Sequence, residues 1–439
     1  MDAFPPGLMF AALFGLVFAG VPVAFALIAT SFLFGLPVLD DRLGNQFFGR
    51  FYEVASNSVL TAVPLFVLMG VLLEKSGIAE RLFHAMRLWV GRLPGGLAIA
   101  AIAMCAIFAA ATGIIGAVEA IVGMMAIPPM LRYGYEKGLI SGTICAGGSL
   151  GTIIPPSVLV VVYSGVGQVP VGDLLAGIML PGLLMVVLFI LYIYVRCRIR
   201  PQDGPPLAAD EVMLPLRRKL VITAAGLVPA TCLIVAVLGS ILAGIASPTE
   251  AAAIGAAGSL LLLVLYRSFA WTVLVDAARK TVSLNAMILL IVVGGMMFSS
   301  VFAVSGGTTM VRDTVTRLAL PGWALVCVFL LVVFALGFIL DWVSVVLICV
   351  PVFTPLIRVA GVDPLWFAVM VIIVIQTSYF TPPMAPAIFY LRAIAPPEIS
   401  YIDMYRGVIP FVLAQAAVLV AVAAFPSLAT WLPRVLLGA

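Results

Sequence analysis

Apolar runs long enough to cross a lipid bilayer recur along this chain, for example at 8–36, 174–194, 220–243 and 411–424. A hydrocarbon core about 30 Å thick takes about 20 such residues as a helix. Inside that core each backbone amide needs an internal partner, so runs of this kind dictate spanning helices. Charge is scarce to match: of 439 residues 64% are hydrophobic and 10% charged, against about 25% charged in a soluble domain. The first run is too long for a cleaved signal and lacks a basic leader and an A-x-A site, so it reads as a retained span.

The formal net charge is +4, but the basic residues lie between apolar runs and form no single basic face. They report orientation and not nucleic-acid binding. Cysteines 105, 145, 197, 232, 327 and 349 show no paired spacing and His84 stands alone, which excludes a disulfide framework and a zinc cluster. No P-loop, H-E-x-x-H, G-x-S-x-G or paired intramembrane aspartate occurs, so an ATP-driven pump and an intramembrane hydrolase are set aside and the chain reads as no enzyme.

Gly, Pro and charge punctuate the chain into nine crossings, near 7–36, 55–75, 138–163, 172–196, 220–243, 247–266, 281–305, 365–394 and 408–432. Two further apolar segments, 93–131 and 320–358, are broken at Ala111-Thr112-Gly113 and at Asp341. Each is too long for one span and too short for two, which predicts a re-entrant helical hairpin surrounded by protein or a water-filled cavity. With the N-terminus in the cytoplasm and the C-terminus in the periplasm, only Arg42, Arg50, Arg312, Arg317, Arg358 and Arg434 of the 23 basic residues fall outside. The polar connector 196–219 is then cytoplasmic and separates a first repeat, 1–195, from a second, 220–439. Amphipathic 80–92 reads as an interfacial helix.

One shift of 227 residues, as from Pro94 to Pro321, also superimposes Pro128 on Pro355, Gly134 on Gly361, Pro155-Pro156 on Pro382-Pro383, Tyr163 on Tyr390 and Pro170 on Pro397. The extra helix 220–243 reverses the side from which the second copy enters. The expectation is therefore an all-α polytopic membrane protein of two inverted repeats, each with a re-entrant hairpin and a discontinuous helix, the architecture of secondary transporters.

After each hairpin a crossing is interrupted at midpoint, at Gly147-Gly148-Ser149-Leu150-Gly151-Thr152-Ile153-Ile154-Pro155-Pro156-Ser157 and at Gln376-Thr377-Ser378-Tyr379-Phe380-Thr381-Pro382-Pro383. Tandem prolines remove two amide donors and disfavour helix upstream, leaving carbonyls without partners. A sodium ion suits such oxygens and Ser or Thr hydroxyls, while the restarting half-helix, with proline suited to its first position, aims its positive end at an anion. Ordinary proline kinks lined by small residues are the structural alternative for either motif alone. Asp341 reads as an ion-path or tip-capping carboxylate, or as a simple N-cap. Glu119 is open between capping, pairing with a distant Arg and facing an aqueous cavity. Ser247-Pro248-Thr249-Glu250 reads as a capping-box helix start, and Arg392 as a snorkelling anchor.

These residues together resemble one known family, the large membrane subunit of tripartite ATP-independent periplasmic (TRAP) transporters. The resemblance rests on Ala111-Thr112-Gly113, Ser141 through Ser157, Ala246 through Ala251, and Gly337 through Asp341 with Thr381-Pro382-Pro383, and so covers nearly the whole chain. It implies an elevator-type, sodium-coupled importer in the bacterial inner membrane. A periplasmic substrate-binding protein would deliver a carboxylate or sulfonate to it, beside a small four-helix membrane subunit. A stand-alone divalent-anion/sodium symporter of the same architecture is the alternative.

Many members carry a Ser-rich first tip, whereas this chain has Ala-Thr-Gly-Ile-Ile-Gly with Thr112 as the remaining hydroxyl. On the resemblance, one sodium site lies at Gly113, Gly116, Gly148 and Ser149 and a second at Gly337, Asp341, Thr377 and Thr381. Substrate lies between the tips near Thr112, Thr152, Ser157 and Ser378. No cofactor beyond the coupling sodium is implied.

Overall fold

The computed structural model describes residues 4–112, 115–208, 214–318, 321–382 and 385–438. Among these residues every regular element is helical. Seven helices are long and apolar enough to span a membrane, or eight if Ala62–Lys75 and Ile78–Val90, bent by 65°, form one span. The expected nine crossings divide differently. Run 7–36 is two helices, Leu8–Phe18 and Val23–Leu39, because Gly20 turns the chain at φ +89° and Pro22 precedes the restart. The last run breaks at Phe425-Pro426 into Tyr401–Ala424 and Ser427–Leu437. The interfacial helix is present as Ile78–Val90. Two more amphipathic helices, Leu43–Ser56 and Gly307–Leu318, carry too few apolar residues to stand out as runs.

The two segments expected as hairpins are each a pair of packed helices, Gly96–Thr112 with Ile115–Arg132 and Gly322–Leu336 with Trp342–Val359, the last being one of the seven helices long and apolar enough to span. The second arms begin and end at positions 227 apart, the separation that also relates Ser149 to Gln376. Beyond each second arm the chain turns at a left-handed glycine, Gly134 at φ +72° and Gly361 at φ +71°. An acidic N-cap then starts the next helix. Glu136 accepts from the amides of Gly138 (2.9 Å) and Leu139 (2.6 Å), and Asp363 from those of Leu365 (2.8 Å) and Trp366 (3.2 Å). Each cap satisfies amides that a helix start leaves open.

The two copies exchange parts. The restarted half-helix of the first, Val158–Gly167, packs on the second hairpin's Trp342–Val359, and that of the second, Pro386–Ile394, packs on the first hairpin's Ile115–Arg132. Chain direction is fixed by contacts along the helices. Val171–Ile199 runs antiparallel to Lys137–Ser149, since Arg196 meets Glu136 at 3.0 Å while Gly182 lies against the carbonyl of Ile153. Its counterpart Tyr401–Ala424 runs parallel to Lys137–Ser149, with Gly407 against Gly138 and Gln415 beside Ser149. The remaining spans, led by Ala62–Lys75, Leu216–Leu242, Pro248–Leu265 and Trp271–Val304, pack mainly on one another. They meet the hairpin body chiefly where Trp271–Val304 lies on Trp342–Val359 and where Ile78–Val90 and Ala62–Lys75 lie on Gly96–Thr112.

Two local expectations hold in detail. Ser247 and Glu250 form a reciprocal capping box at Pro248–Leu265. Arg392 lies over the Tyr401 ring and donates to the carbonyl of Ile399 at 2.9 Å, which anchors it at the helix end. The connector, read from sequence only as polar, is docked in its described part. Gly95 donates to the carbonyl of Gly204 (2.8 Å), Leu207 to that of Gly91 (2.8 Å), and Arg196 to Asp203 (2.9 Å). It therefore fastens the base of the first hairpin.

Candidate transport site

The first interruption consists of a helix ending at Ser149, a 3-10 turn Leu150–Thr152 and a bent, non-helical stretch through the proline pair to Ser157. Pro155 and Pro156 cannot donate to the carbonyls of Gly151 and Thr152, the positions four residues earlier. The second helix ends at Tyr379 and restarts at Pro386 after Ala385, held at φ +44°. Proline thus starts the second half-helix, but it is Pro386 and not the tandem pair. In the first copy the pair stays within the unwound stretch, with Ser157 at the N-cap position. Pro383 lies outside the described residues.

A cavity of about 870 Å³ opens where these elements meet. Its wall takes Thr152, Val158 and Leu159 from the first interrupted helix and Ser378, Tyr379 and Pro386 from the second. Gly116 comes from the first hairpin and Gly337 and Asp341 from the second tip. Val158 and Leu159 are the first turn of a ten-residue half-helix, so their amides and its positive end face the cavity wall. Trp271–Val304 adds Lys280, the one basic residue of the lining among the described residues, which is held by both oxygens of Glu74 at 2.7 and 2.8 Å.

Of the four substrate positions, Thr152 and Ser378 line this cavity, while Thr112 and Ser157 are buried beside it. The hydroxyls of Thr112, Thr152 and Ser378 donate to the carbonyls of Phe108, Ser149 and Ile375 at 2.8–2.9 Å. Their hydrogens are committed to backbone, which leaves lone pairs facing outward and suits them to a cation more than to an anion. Ser157 Oγ is buried with no partner among the described residues, and Ser157 is not among the residues that line the cavity.

The second sodium set is assembled only in part. Gly337 sits so close to Ser378 that a β-carbon on it would lie 2.1 Å from Oγ, which joins the tip to the interrupted helix. Asp341 caps the following arm, accepting from Val343 (3.0 Å) and Ser344 (3.4 Å). Thr377 donates to Ile373 (2.7 Å) and Thr381 to Thr377. In the first set, Gly113 lies outside the described residues. Gly116 packs under the Tyr390 ring, and Gly148 packs on the side chain of Glu119. Ser149 Oγ donates to Ala146 (2.7 Å) and accepts from Gln376 (3.0 Å). Its carbonyl accepts from Thr152.

The Ser149–Gln376 contact is buried and joins positions 227 residues apart, the shift that relates the two halves of the sequence. Gln415 reaches the same Oγ at 3.4 Å. The 227-residue spacing carried that signal in the sequence, but it was missed because Ser and Gln do not look alike. Lys280 and Glu74, far apart in sequence and unlike any motif, were also missed.

Hairpins and interrupted helices that converge on a cavity inside a bundle of spans define a membrane carrier by architecture. The chain belongs to the family described as "Tripartite ATP-independent periplasmic transporter, DctM component", whose model matches residues 10–428. It is 30% identical over 88% of both chains to the C4-dicarboxylate TRAP transporter large permease protein DctM of Pseudomonas aeruginosa. It is 29% identical over 97% of both chains to the sialic acid TRAP transporter large permease protein SiaM of Vibrio cholerae. Among solved structures, the YdaH transporter of Alcanivorax borkumensis shares the fold at a TM-score of 0.64, covering 96% of this chain and 98% of that one at 14% identity.

Proposed function

We propose that this chain imports a small organic anion, a carboxylate or sulfonate, by coupling it to sodium. A periplasmic substrate-binding protein delivers the anion, and a small four-helix membrane subunit completes the permease in the bacterial inner membrane. The curated relatives carry a C4-dicarboxylate and sialic acid, both carboxylates, which supports an organic anion here. The observation that carries the reading is the cavity at which both interrupted helices and the second hairpin tip converge.

On this reading the positive first turn at Val158 and Leu159 faces the anion. Thr377, Thr381 and the Asp341 carboxylate hold one sodium, using hydroxyl lone pairs left over once each hydrogen is donated to backbone. Asp341 would otherwise repel the anion across the cavity, so a cation beside it lowers the cost of bringing substrate in. The opposite directions of Val171–Ile199 and Tyr401–Ala424 support inverted repeats, which give one site two exits. The hairpin body then moves as an elevator against the remaining spans, with the N-terminus cytoplasmic and the C-terminus periplasmic.

The test is uptake into proteoliposomes holding the chain and its small subunit, with the binding protein and a candidate carboxylate outside. Uptake should follow an inward sodium gradient. Accumulation that persists after the gradient is collapsed would refute sodium coupling.

A further inference from the structure

Glu119 lies in the second arm of the first hairpin and is fully buried, and neither carboxylate oxygen has a hydrogen-bond partner among the described residues. Its side chain fills the space that a β-carbon on Gly148 would occupy: that carbon would lie 1.9 Å from Glu119 Cγ and 2.9 Å from Oε1. The absence of a side chain at position 148 is what admits the carboxylate against the first interrupted helix. The titratable side chains that interact with it electrostatically are Cys105, Cys145, Tyr379 and Tyr390. None is basic, so the pairing with a distant Arg that the sequence left open is not made.

A buried carboxylate without a donor or counter-charge is costly in protein and costlier at membrane depth. The arm that carries Glu119 packs against the turn Leu150–Thr152. Within that turn Gly151 and Thr152 lie four residues before the two prolines, which cannot donate to their carbonyls. One carboxylate with neutral backbone oxygens is a hard, singly charged donor set. No group of three or more His, Cys, Asp or Glu among the described residues adds the charge a divalent ion would need.

We infer that Glu119 is the charged ligand of a monovalent cation, sodium on the reading above, held between the first hairpin and the first interrupted helix with Gly148 making room for it. The inference rests on sodium coupling and adds a prediction of its own. A carboxylate in the shell makes this site neutral when filled, so filling it removes a buried negative charge and draws the hairpin arm onto the interrupted helix.

The test uses the full chain with its small subunit in detergent, titrated with sodium chloride against potassium chloride at constant ionic strength. Thermal stability and retention of radiolabelled sodium are both read. In the wild type, sodium should raise the melting temperature in a saturable way that potassium does not match. In Glu119→Gln the midpoint sodium concentration should rise about ten-fold or more and retained sodium should fall, as expected when a charged contact is lost. Glu119→Asp keeps the charge on a shorter arm and should give an intermediate midpoint. It provides the comparison if Glu119→Gln does not fold. Equal midpoints in the wild type and both variants would overturn the role of Glu119 and leave sodium coupling standing. A wild type that does not discriminate sodium from potassium would overturn sodium coupling itself.

Discussion

Replacing Gly407 by Ala should loosen the packing that sets the spacing of the transport site. The span Tyr401–Ala424 and the first interrupted helix cross at Gly138, Gly142 and Gly407. A β-carbon on Gly407 would lie 2.0 Å from the carbonyl oxygen of Gly138 and 2.7 Å from its carbonyl carbon. These are backbone atoms in a helix, so no side-chain rotation relieves the clash and the two helices must separate by more than about 1 Å to regain van der Waals distance. Overpacking costs about 1–3 kcal/mol, and a backbone clash belongs near the upper end. In membranes such close crossings of small residues supply much of the helix association, so the loss is not offset by apolar contacts elsewhere. For a chain of this length about 3 kcal/mol corresponds to a fall of about 3 °C in the apparent melting temperature. The assay is thermal unfolding of the detergent-purified complex, with Gly15→Ala as the control, because a β-carbon at Gly15 meets nothing within 4 Å. If Gly407→Ala melts with the wild type, or the control is equally damaged, the close crossing does not hold these helices together.

The other predictions concern the site. Gly337→Ala should push Ser378 aside and lower transport about ten-fold, and adding Ser378→Ala should restore part of it; uptake by the double variant no better than by the single would show that this contact does not seat the second tip. Thr377→Ala should raise the sodium concentration needed for half-maximal uptake, and an unchanged requirement would remove that hydroxyl from the site. Lys280→Met should leave the chain folded but slow uptake several-fold, since the lining then keeps the unpaired Glu74 carboxylate and loses its basic side chain; unaltered initial rates would show that Lys280 serves only to neutralise Glu74.

Much of this architecture could be read from the sequence, because the features that fix it are local. The first hairpin's first arm ends at Thr112 and the second hairpin's second arm starts after Asp341, and a crossing breaks where prolines withdraw amides; both leave marks in the residues themselves. The break at Gly20-Val21-Pro22 was legible in principle, but it was overridden by the continuous hydrophobicity around it. Amphipathic Leu43–Ser56 was harder, since its apolar residues recur at helical spacing without forming a run. Site geometry was the least legible part. Thr152 and Ser378 reach the cavity whereas Thr112 and Ser157 do not, and that difference depends on how two distant halves pack. The Lys280–Glu74 pair and the burial of Glu119 are likewise tertiary facts, which a residue's neighbours in sequence do not determine.

The position of the Ser149–Gln376 pair bears on how a single cavity could serve both sides of a membrane. A carrier built from two copies related by a two-fold in the membrane plane has one place where neither copy is favoured, and that place is the axis. Filling it with identical apolar residues would let the halves slide past one another. A hydroxyl facing an amide instead fixes their register through a directional bond of about 1 kcal/mol. Here the bond is 3.0 Å long, fully buried, and reinforced by Gln415. The carboxamide oxygens of Gln376 and Gln415 have no partner among the described residues, so the network is not closed within the body. A partly satisfied polar centre fixes orientation without making the body rigid beyond rearrangement. On the elevator reading the hairpin body must move as one piece while its two tips open in turn. On the inverted-repeat reading proposed above, that bond lies on the two-fold axis and keeps the interrupted helices in register whichever tip is open, so the asymmetry between the two states falls to the tips and to the spans around them.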